Sequence, residues 1–367
     1  MRAPDEVALV HDYITQRGGA ERVVLSLAAA FPRAPIYTSL FEPGSTFPEF
    51  AALDIHALPL NRVGLFRSHH QLALPLLAPS FSRLKVEAEV AICSSSGWAH
   101  GAQVSGRKVV YCHTPARWLY QADRYLDQSS SKVSGAALTV LSPFLRRWDR
   151  RAAATADRYL VNSRAVRDRV AELYGLEADV VPPPVDVVHE GAVDPVAGIE
   201  PGFFLCVSRM LPYKNVEAVS DAFRLLPDHR LVVVGSGPLT EHITATSPAN
   251  VTVLGRVSDA NLRWVYASSV GLVTASYEDF GLTPVEAASF GKPTAALRWG
   301  GFLDTIVDGS TGVYFERPEP QLIAEAIELL ARGAWDPATL IAHSELFSDA
   351  RFVARMRAVV EEERGSF

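Results

Sequence analysis

Short apolar runs rich in β-forming residues alternate with helical patterns along this chain, and no other feature restricts its fold so tightly. In the first half the strand-like runs lie near Val7–Val10, Ile36–Ser39, Val90–Cys93, Val109–Cys112 and Tyr159–Val161. Helical stretches follow several of them, at Ala20–Ala30, Ala136–Ala154 and Arg164–Tyr174. The segment VVPPPVDVVHEG, residues 180–191, sustains neither a helix nor a central strand, because proline fixes φ and donates no hydrogen bond. Beyond it the alternation restarts: Phe203–Val207, helix Asn215–Leu226, Leu231–Val234, Val251–Leu254, a helix near Ser258–Ala267, Val270–Thr274, a helix over 283–290, then Thr294–Leu297. The expectation is α/β: two doubly wound, Rossmann-like domains facing across a cleft, with ligands beyond the carboxyl ends of the strands. Residues 1–184 form the first domain and 185–347 the second. A last helical segment lies within 348–367, and Ser129–Ser131 with Gly135 reads as a mobile loop.

A length of 367 residues suits two domains of about 100–200 residues each. A net charge of −6 argues against nucleic acid as a partner. Cys93, Cys112 and Cys206 lie in apolar runs without metal or redox spacing, which reads as reduced core in a cytoplasmic protein. The amino terminus lacks a signal peptide's layout, and no apolar run reaches the roughly 18–20 residues that span a bilayer. Arg62 to Lys85 sets basic residues around apolar Leu72–Leu77; it reads as a partly buried helix or as a patch resting on the inner face of the membrane.

The densest chemistry lies in SYEDFGLTPVEAASFGKP, residues 276–293. Thr283 has the chemistry of a helix cap, Pro284 suits a first helical position, and Glu286 falls three after the cap. A helix starting there aims backbone N–H groups and its positive dipole end at the Glu278–Leu282 loop, offering donors to oxyanions while the carboxylates take hydroxyls. Arg209 and Lys214, in SRMLPYKN, supply the cations that a diphosphate needs. His113 in YCHTPARWLY falls at a strand's carboxyl end. Gly18-Gly19 precedes a helix and admits close approach of a phosphate or sugar. Asp12 and Arg17 share that edge, either as ligand contacts or as loop anchors. Trp118 and Tyr120 stack on a sugar or fill core. No two aspartates stand two apart, so the Asp-x-Asp metal motif is missing, and no zinc-type cluster occurs.

The Glu-x7-Glu spacing with Phe-Gly inside, the Arg-x4-Lys pair, the GGAER loop and Cys-His-Thr-Pro-x-Arg together resemble the retaining GT-B glycosyltransferases of glycosyltransferase family 4. The resemblance covers nearly the whole chain. It departs at Asp279, where the family often has glycine or serine. It implies that Glu278 and His113 hold the transferred sugar, that Phe280, Gly281, Leu282 and Thr283 lie at sugar and phosphate, and that Glu286 binds the ribose. It further implies that Arg209 and Lys214 neutralise the diphosphate, that Gly18 and Gly19 face donor and acceptor, and that backbone at Arg256-Val257 meets the base. Asp12 and Arg17 are implied for the acceptor side, and Arg117 for an acceptor phosphate. The carboxyl-terminal helix is implied to pack back on the first domain. Cys-His-Thr-Pro-x-Arg resembles mannosyltransferases of surface-polysaccharide pathways, which implies a GDP-mannose donor, a glycan or lipid-linked acceptor, and no metal or cofactor. An epimerase of nucleotide sugars and a non-catalytic sugar-nucleotide-binding subunit remain open as alternatives.

Overall fold

The computed structural model describes residues 5–121, 132–185 and 191–365. Ser129–Ser131 lie outside them, and Gly135, expected in a loop, belongs to the helix Lys132–Ala153. The chain divides into two compact units, Met1–Pro184 with Asp349–Phe367, and Val185–Ser348.

The first unit carries strands β1 (Asp5–His11), β2 (Ile36–Thr38), β3 (Ile55–Ala57), β4 (Lys85–Val86), β5 (Ala88–Ser95), β6 (Gln103–Val104), β7 (Arg107–Cys112), β8 (Arg158–Val161) and β9 (Asp179–Val180). Seven of them form a sheet in the order β3-β2-β1-β5-β7-β8-β9, and β4 pairs with β6 apart from it. Every pairing in the large sheet is parallel. Period-two geometry explains why its strands read as continuous apolar runs. Leu9, Ile92, Val109 and Leu160 point to one face, where they meet Leu27 of the helix Gly19–Ala30 and Phe352, Met356 and Val359 of the helix Asp349–Arg364. Their neighbours Val10, Cys93, Val110 and Val161 point to the other face, against Leu77, Phe81 and Trp98. Each such side chain contributes about 1.5–3 kcal/mol of burial. Ion pairs from Arg107 to Glu363 at 2.8 Å and from Arg364 to Glu89 at 3.0 Å hold the carboxyl-terminal helix to this sheet.

The basic segment Arg62–Lys85 is not one helix but includes two, Gly64–Ser68 and Leu74–Arg83. The second buries Leu77 and Phe81 and leaves Leu76 exposed, while Arg67 pairs with Glu42 at 3.0 Å. Among the described residues no helix is long and apolar enough to cross a membrane.

The second unit carries β10 (Phe203–Val207), β11 (Leu231–Val234), β12 (Val251–Gly255), β13 (Ser269–Thr274), β14 (Thr294–Leu297) and β15 (Gly312–Phe315). They form a parallel sheet in the order β12-β11-β10-β13-β14-β15. Phe204, Cys206, Val233 and Val273 face Ile323 and Ile327 of the helix Pro320–Arg332. Phe203, Leu205, Val232 and Leu272 face Val265 and Tyr266 of the helix Asp259–Ser268. Both units are therefore α/β sheets covered on two sides.

Candidate active site

In the second unit the chain runs outward from β10 to β11 and β12, then returns to the other side of β10 as β13. Strand order thus reverses between β10 and β13, and connections leaving such a pair diverge and leave a crevice at the carboxyl ends. The segments leaving these two strands carry Arg209–Lys214 and Glu278–Gly281. Three contacts stitch them together: Asn215 Nδ2 donates to the Ala275 carbonyl at 2.8 Å, Tyr277 N donates to the Tyr213 carbonyl at 3.2 Å, and Lys214 Nζ pairs with Glu278 Oε1. The Lys214 ammonium also lies 4.9 Å from the Tyr213 ring centroid. Asn215 makes the tight turn with φ at 52°, a conformation asparagine tolerates better than most side chains. The sequence picked out the two charged residues; it gave no sign that they pair with each other.

Glu278 is held from below by a glycine turn. Gly301 N donates to the Glu278 carbonyl at 3.0 Å, and a Cβ on Gly301 would fall on the Phe280 backbone. Phe280 is buried among Val185, Val285 and Phe347, so the loop's apolar residue anchors it while Glu278 stays part-exposed. Asp279, the departure from the family pattern, is 2% exposed and turned into the unit.

The helix after this loop begins earlier than the capping pattern implied. It spans Leu282–Ser289, its N-cap is Gly281 at φ 89°, and no side chain caps it. A glycine in the left-handed region turns the chain into the helix two residues before Thr283 can, so Thr283 lies inside the first turn. Pro284 is the third helical residue, where its missing N–H is one that the first turn leaves unpaired in any case. Glu286 is accordingly not a capping-box partner: its Oε2 accepts the Tyr266 hydroxyl at 2.5 Å. Burial and the Glu286 charge push the Tyr266 hydroxyl well above its ordinary pKa, so it remains a donor. Tyr266 lies in the apolar face of Asp259–Ser268, and its ring stacks on Phe290 at 5.4 Å.

Arg209 is exposed and lies between Ser208 and the buried Met210, whose N–H donates to the Ser236 carbonyl at 3.2 Å. Arg256 Nε donates to Ser236 Oγ at 3.0 Å, which ties the loop after β12 to the loop after β11. Val257, like Leu254 and Leu262, packs against the core that holds Val265 and Tyr266, and Ser258 caps the next helix by accepting from Asn261 N at 3.1 Å.

In the first unit the strand order reverses between β1 and β5, and the expected residues lie at the carboxyl ends there. Asp12 is not available to an acceptor. Its carboxylate takes the amides of Ser96 (2.6 Å), Trp98 (3.1 Å) and Ala99 (2.6 Å), so it anchors the loop after β5. Burial outweighs these donors and raises its pKa to about 6. Gly18 caps the helix Gly19–Ala30 with an ordinary extended φ of −132°. A Cβ there would meet the Glu21 carboxyl, buried beneath the loop with Oε2 unpartnered, and would have to displace it. Gly19 is the helix's first residue, and the exposed Arg17 donates Nε to the Thr46 carbonyl at 3.1 Å.

His113 is half-buried just past β7, and Asn162 donates to its carbonyl at 2.8 Å. Its Nε2 lies 2.8 Å from Ser94 Oγ, at the end of β5. Burial, then His11 and Arg117, lower its pKa to about 3, so the ring is neutral. Arg117 opens the short helix Arg117–Tyr120. Trp118 and Tyr120 resolve as packing: Trp118 stacks on Trp98 at 4.8 Å, and the Tyr120 hydroxyl donates to Asp149 at 2.8 Å. Among the described residues no group of three or more His, Cys, Asp or Glu could hold a metal ion. Nothing in the sequence marks Ser94, Tyr266, Asn215 or Glu21, since each looks like ordinary filler in its own run.

Comparison with known proteins adds an independent line. Residues 17–189 match the family described as Glycosyltransferase Family 4, and residues 196–341 match Glycosyl transferases group 1. A D-inositol 3-phosphate glycosyltransferase of Segniliparus rotundus is 31% identical over 203 residues, covering 48% of this chain and 45% of that protein. The chain thus spans less than half the length of that relative. The alpha-1,3/1,6-mannosyltransferase ALG2 of Eremothecium gossypii is 25% identical over 405 residues, covering 89% of this chain and 76% of the relative. The crystal structure of Anabaena HepE in complex with UDP-glucose superposes with a TM-score of 0.69 at 18% identity, over 98% of this chain and 100% of that one. At that identity the likeness speaks for the fold.

Proposed function

Because this chain belongs to the group 1 and family 4 glycosyltransferases, with one family match in each half, we propose that it moves a hexosyl unit from a nucleotide-diphosphate sugar to an acceptor hydroxyl. The observation that carries the reading is the Lys214–Glu278 pair at the reversal point of the second sheet, with Glu286 on the helix that follows. In this reading Glu278 takes hydroxyls of the transferred sugar and Glu286 the ribose. Arg209 and Lys214 hold the diphosphate, assisted by the uncapped N–H groups that open the helix Leu282–Ser289.

The C1–O bond to the diphosphate breaks and both electrons leave with the phosphate oxygen. The acceptor oxygen bonds to C1 on the same face, and its proton passes to the departing diphosphate. Charge developing on that leaving group is what Arg209 and Lys214 stabilise, without a metal ion. No side chain of the site is assigned as a nucleophile. Gly18 and Gly19 are assigned to the donor diphosphate where it meets the acceptor, Arg17 and Arg117 to the acceptor side, and Arg256-Val257 to the base. The acceptor is a glycan or a lipid-linked sugar.

Mannose from GDP-mannose is the favoured donor, supported by the Cys-His-Thr-Pro-Ala-Arg segment and by the likeness to the mannosyltransferase of Eremothecium gossypii. A UDP-sugar is the second reading, supported by the UDP-glucose complex of HepE. Thermal-shift titration with GDP, UDP, ADP and dTDP, followed by turnover of the matching sugars with and without chelator, tests all of this. A melting curve that none of the nucleotides moves would sink the proposal.

A further inference from the structure

Three side chains stand at the carboxyl ends of three adjacent strands: His11 on β1, Ser94 on β5, and His113 just past β7. Parallel pairing sets His11 beside Ser94, and His113 N donates to the Ser95 carbonyl at 2.9 Å. His11 Nδ1 lies 3.0 Å from both the Ser94 carbonyl oxygen and Ser94 Oγ. Ser94 Oγ lies 2.8 Å from His113 Nε2. His11 and Ser94 are buried, at 2% and 1% exposure, so their protons must be used within the protein.

That geometry leaves one consistent placement of protons. A carbonyl oxygen only accepts, so His11 Nδ1 carries a hydrogen. Ser94 Oγ lies on the accepting side of that hydrogen and must spend its own proton elsewhere. His113 Nε2 is the one remaining partner of this hydroxyl among the described residues. The hydroxyl therefore donates to Nε2, which obliges His113 to carry its hydrogen on Nδ1. We propose that His11 and Ser94 are positioning residues that hold His113 as a neutral ring with its hydrogen on Nδ1, the nitrogen then left to donate to a ligand.

The consequence for group transfer is direct, and it rests on reading His113 as the residue that meets the sugar. A neutral ring gives a sugar hydroxyl a hydrogen bond without placing a cation beside an oxocarbenium-like carbon, where a charged ring would repel. Burial supports the same state, lowering His11 to about 4 and His113 to about 3. The opposite tautomer would present a lone pair and lose the donor.

Long-range 1H–15N correlation spectra of the full chain report the tautomer of each ring directly and need no turnover. The expected result is a protonated Nδ1 and an unprotonated Nε2 on both His11 and His113 between pH 6 and 8. A His113 ring protonated on Nε2, or on both nitrogens, in that range overturns the proposal. Ser94→Ala should release the lock, mixing the His113 tautomers and lowering kcat roughly tenfold while donor KM moves little. Ser94→Thr, which keeps the hydroxyl, should restore both. An unchanged tautomer in Ser94→Ala also overturns it. If no nucleotide sugar is turned over, the glycosyltransferase reading fails alone, and the spectra still decide the relay.

Discussion

Replacing Tyr266 with phenylalanine removes one oxygen and isolates how the second acid of the motif is held. The ring keeps its stack on Phe290 and its burial at 2% exposure, so the helix Asp259–Ser268 should keep its seat. The loss is the hydroxyl donated to Glu286 Oε2 at 2.5 Å. A hydrogen bond to a charged acceptor contributes about 1.5–3 kcal/mol. Glu286 is only part-buried, so water recovers some of this and the cost falls at or just below the lower end, about 1–1.5 kcal/mol. If the carboxylate grips a ribose diol only when held in that rotamer, the same figure appears as a rise of about tenfold in nucleotide Kd. Calorimetric titration of wild type and Tyr266→Phe with the preferred nucleoside diphosphate and with its 2′,3′-dideoxy form makes the test specific. Ribo-nucleotide affinity should fall about tenfold, the dideoxy affinity should stay, and the preference between them should shrink by the same factor. Equal losses for both ligands would mean that Tyr266 supports the fold of the site and not the ribose contact. No loss for either would refute the role given to Glu286.

Glu278→Gln should leave diphosphate binding intact or about threefold tighter, since Lys214 is freed from its partner, while sugar transfer falls about a hundredfold or more; parallel calorimetry and turnover separate the two. Arg209→Ala and Lys214→Ala should each weaken the diphosphate-bearing ligand about tenfold and flatten the salt dependence of its binding. Gly301→Ala places a Cβ on the Phe280 backbone and should lower stability by about 2–3 kcal/mol in urea unfolding, with donor affinity lost before the fold is. Burial raises the Glu21 carboxyl from 4.5 to about 7. Between those values the folded chain keeps a proton that the unfolded chain releases, so its contribution to stability is lost as pH rises through the window. The pH-dependent part is about 3 kcal/mol, and melting curves of Glu21→Gln should show a shallower fall from pH 5 to pH 8 than wild type; parallel slopes would contradict it.

How much of this was legible in the residues depends on whether a feature is periodic or relational. β1, β5 and β7 are legible because both of their faces are buried, so Leu9 and Val10, Ile92 and Cys93, Val109 and Val110 make unbroken apolar runs. β3 and β9 are not legible because they are short, at three and two residues, and partly exposed, which leaves no period to see. At the candidate site the charged residues were visible by spacing, while their partners were not. The Thr283 cap failed for a physical reason. The Thr-Pro-Val-Glu pattern is a valid start signal, yet Gly281 two positions earlier reaches a left-handed turn that no other residue enters so cheaply, and the earlier start prevails. Glu286 then had to find a partner outside its own helix, and it found the hydroxyl of Tyr266, in a segment that reads as plain helix core. Ser94 shows the same thing more sharply. A serine ending an apolar strand says nothing by itself. Only the parallel register that sets it beside His11, together with the turn that brings His113 over it, makes its single proton decisive. Donors and acceptors that meet across strands are properties of the register, and register is settled by packing over the whole sheet.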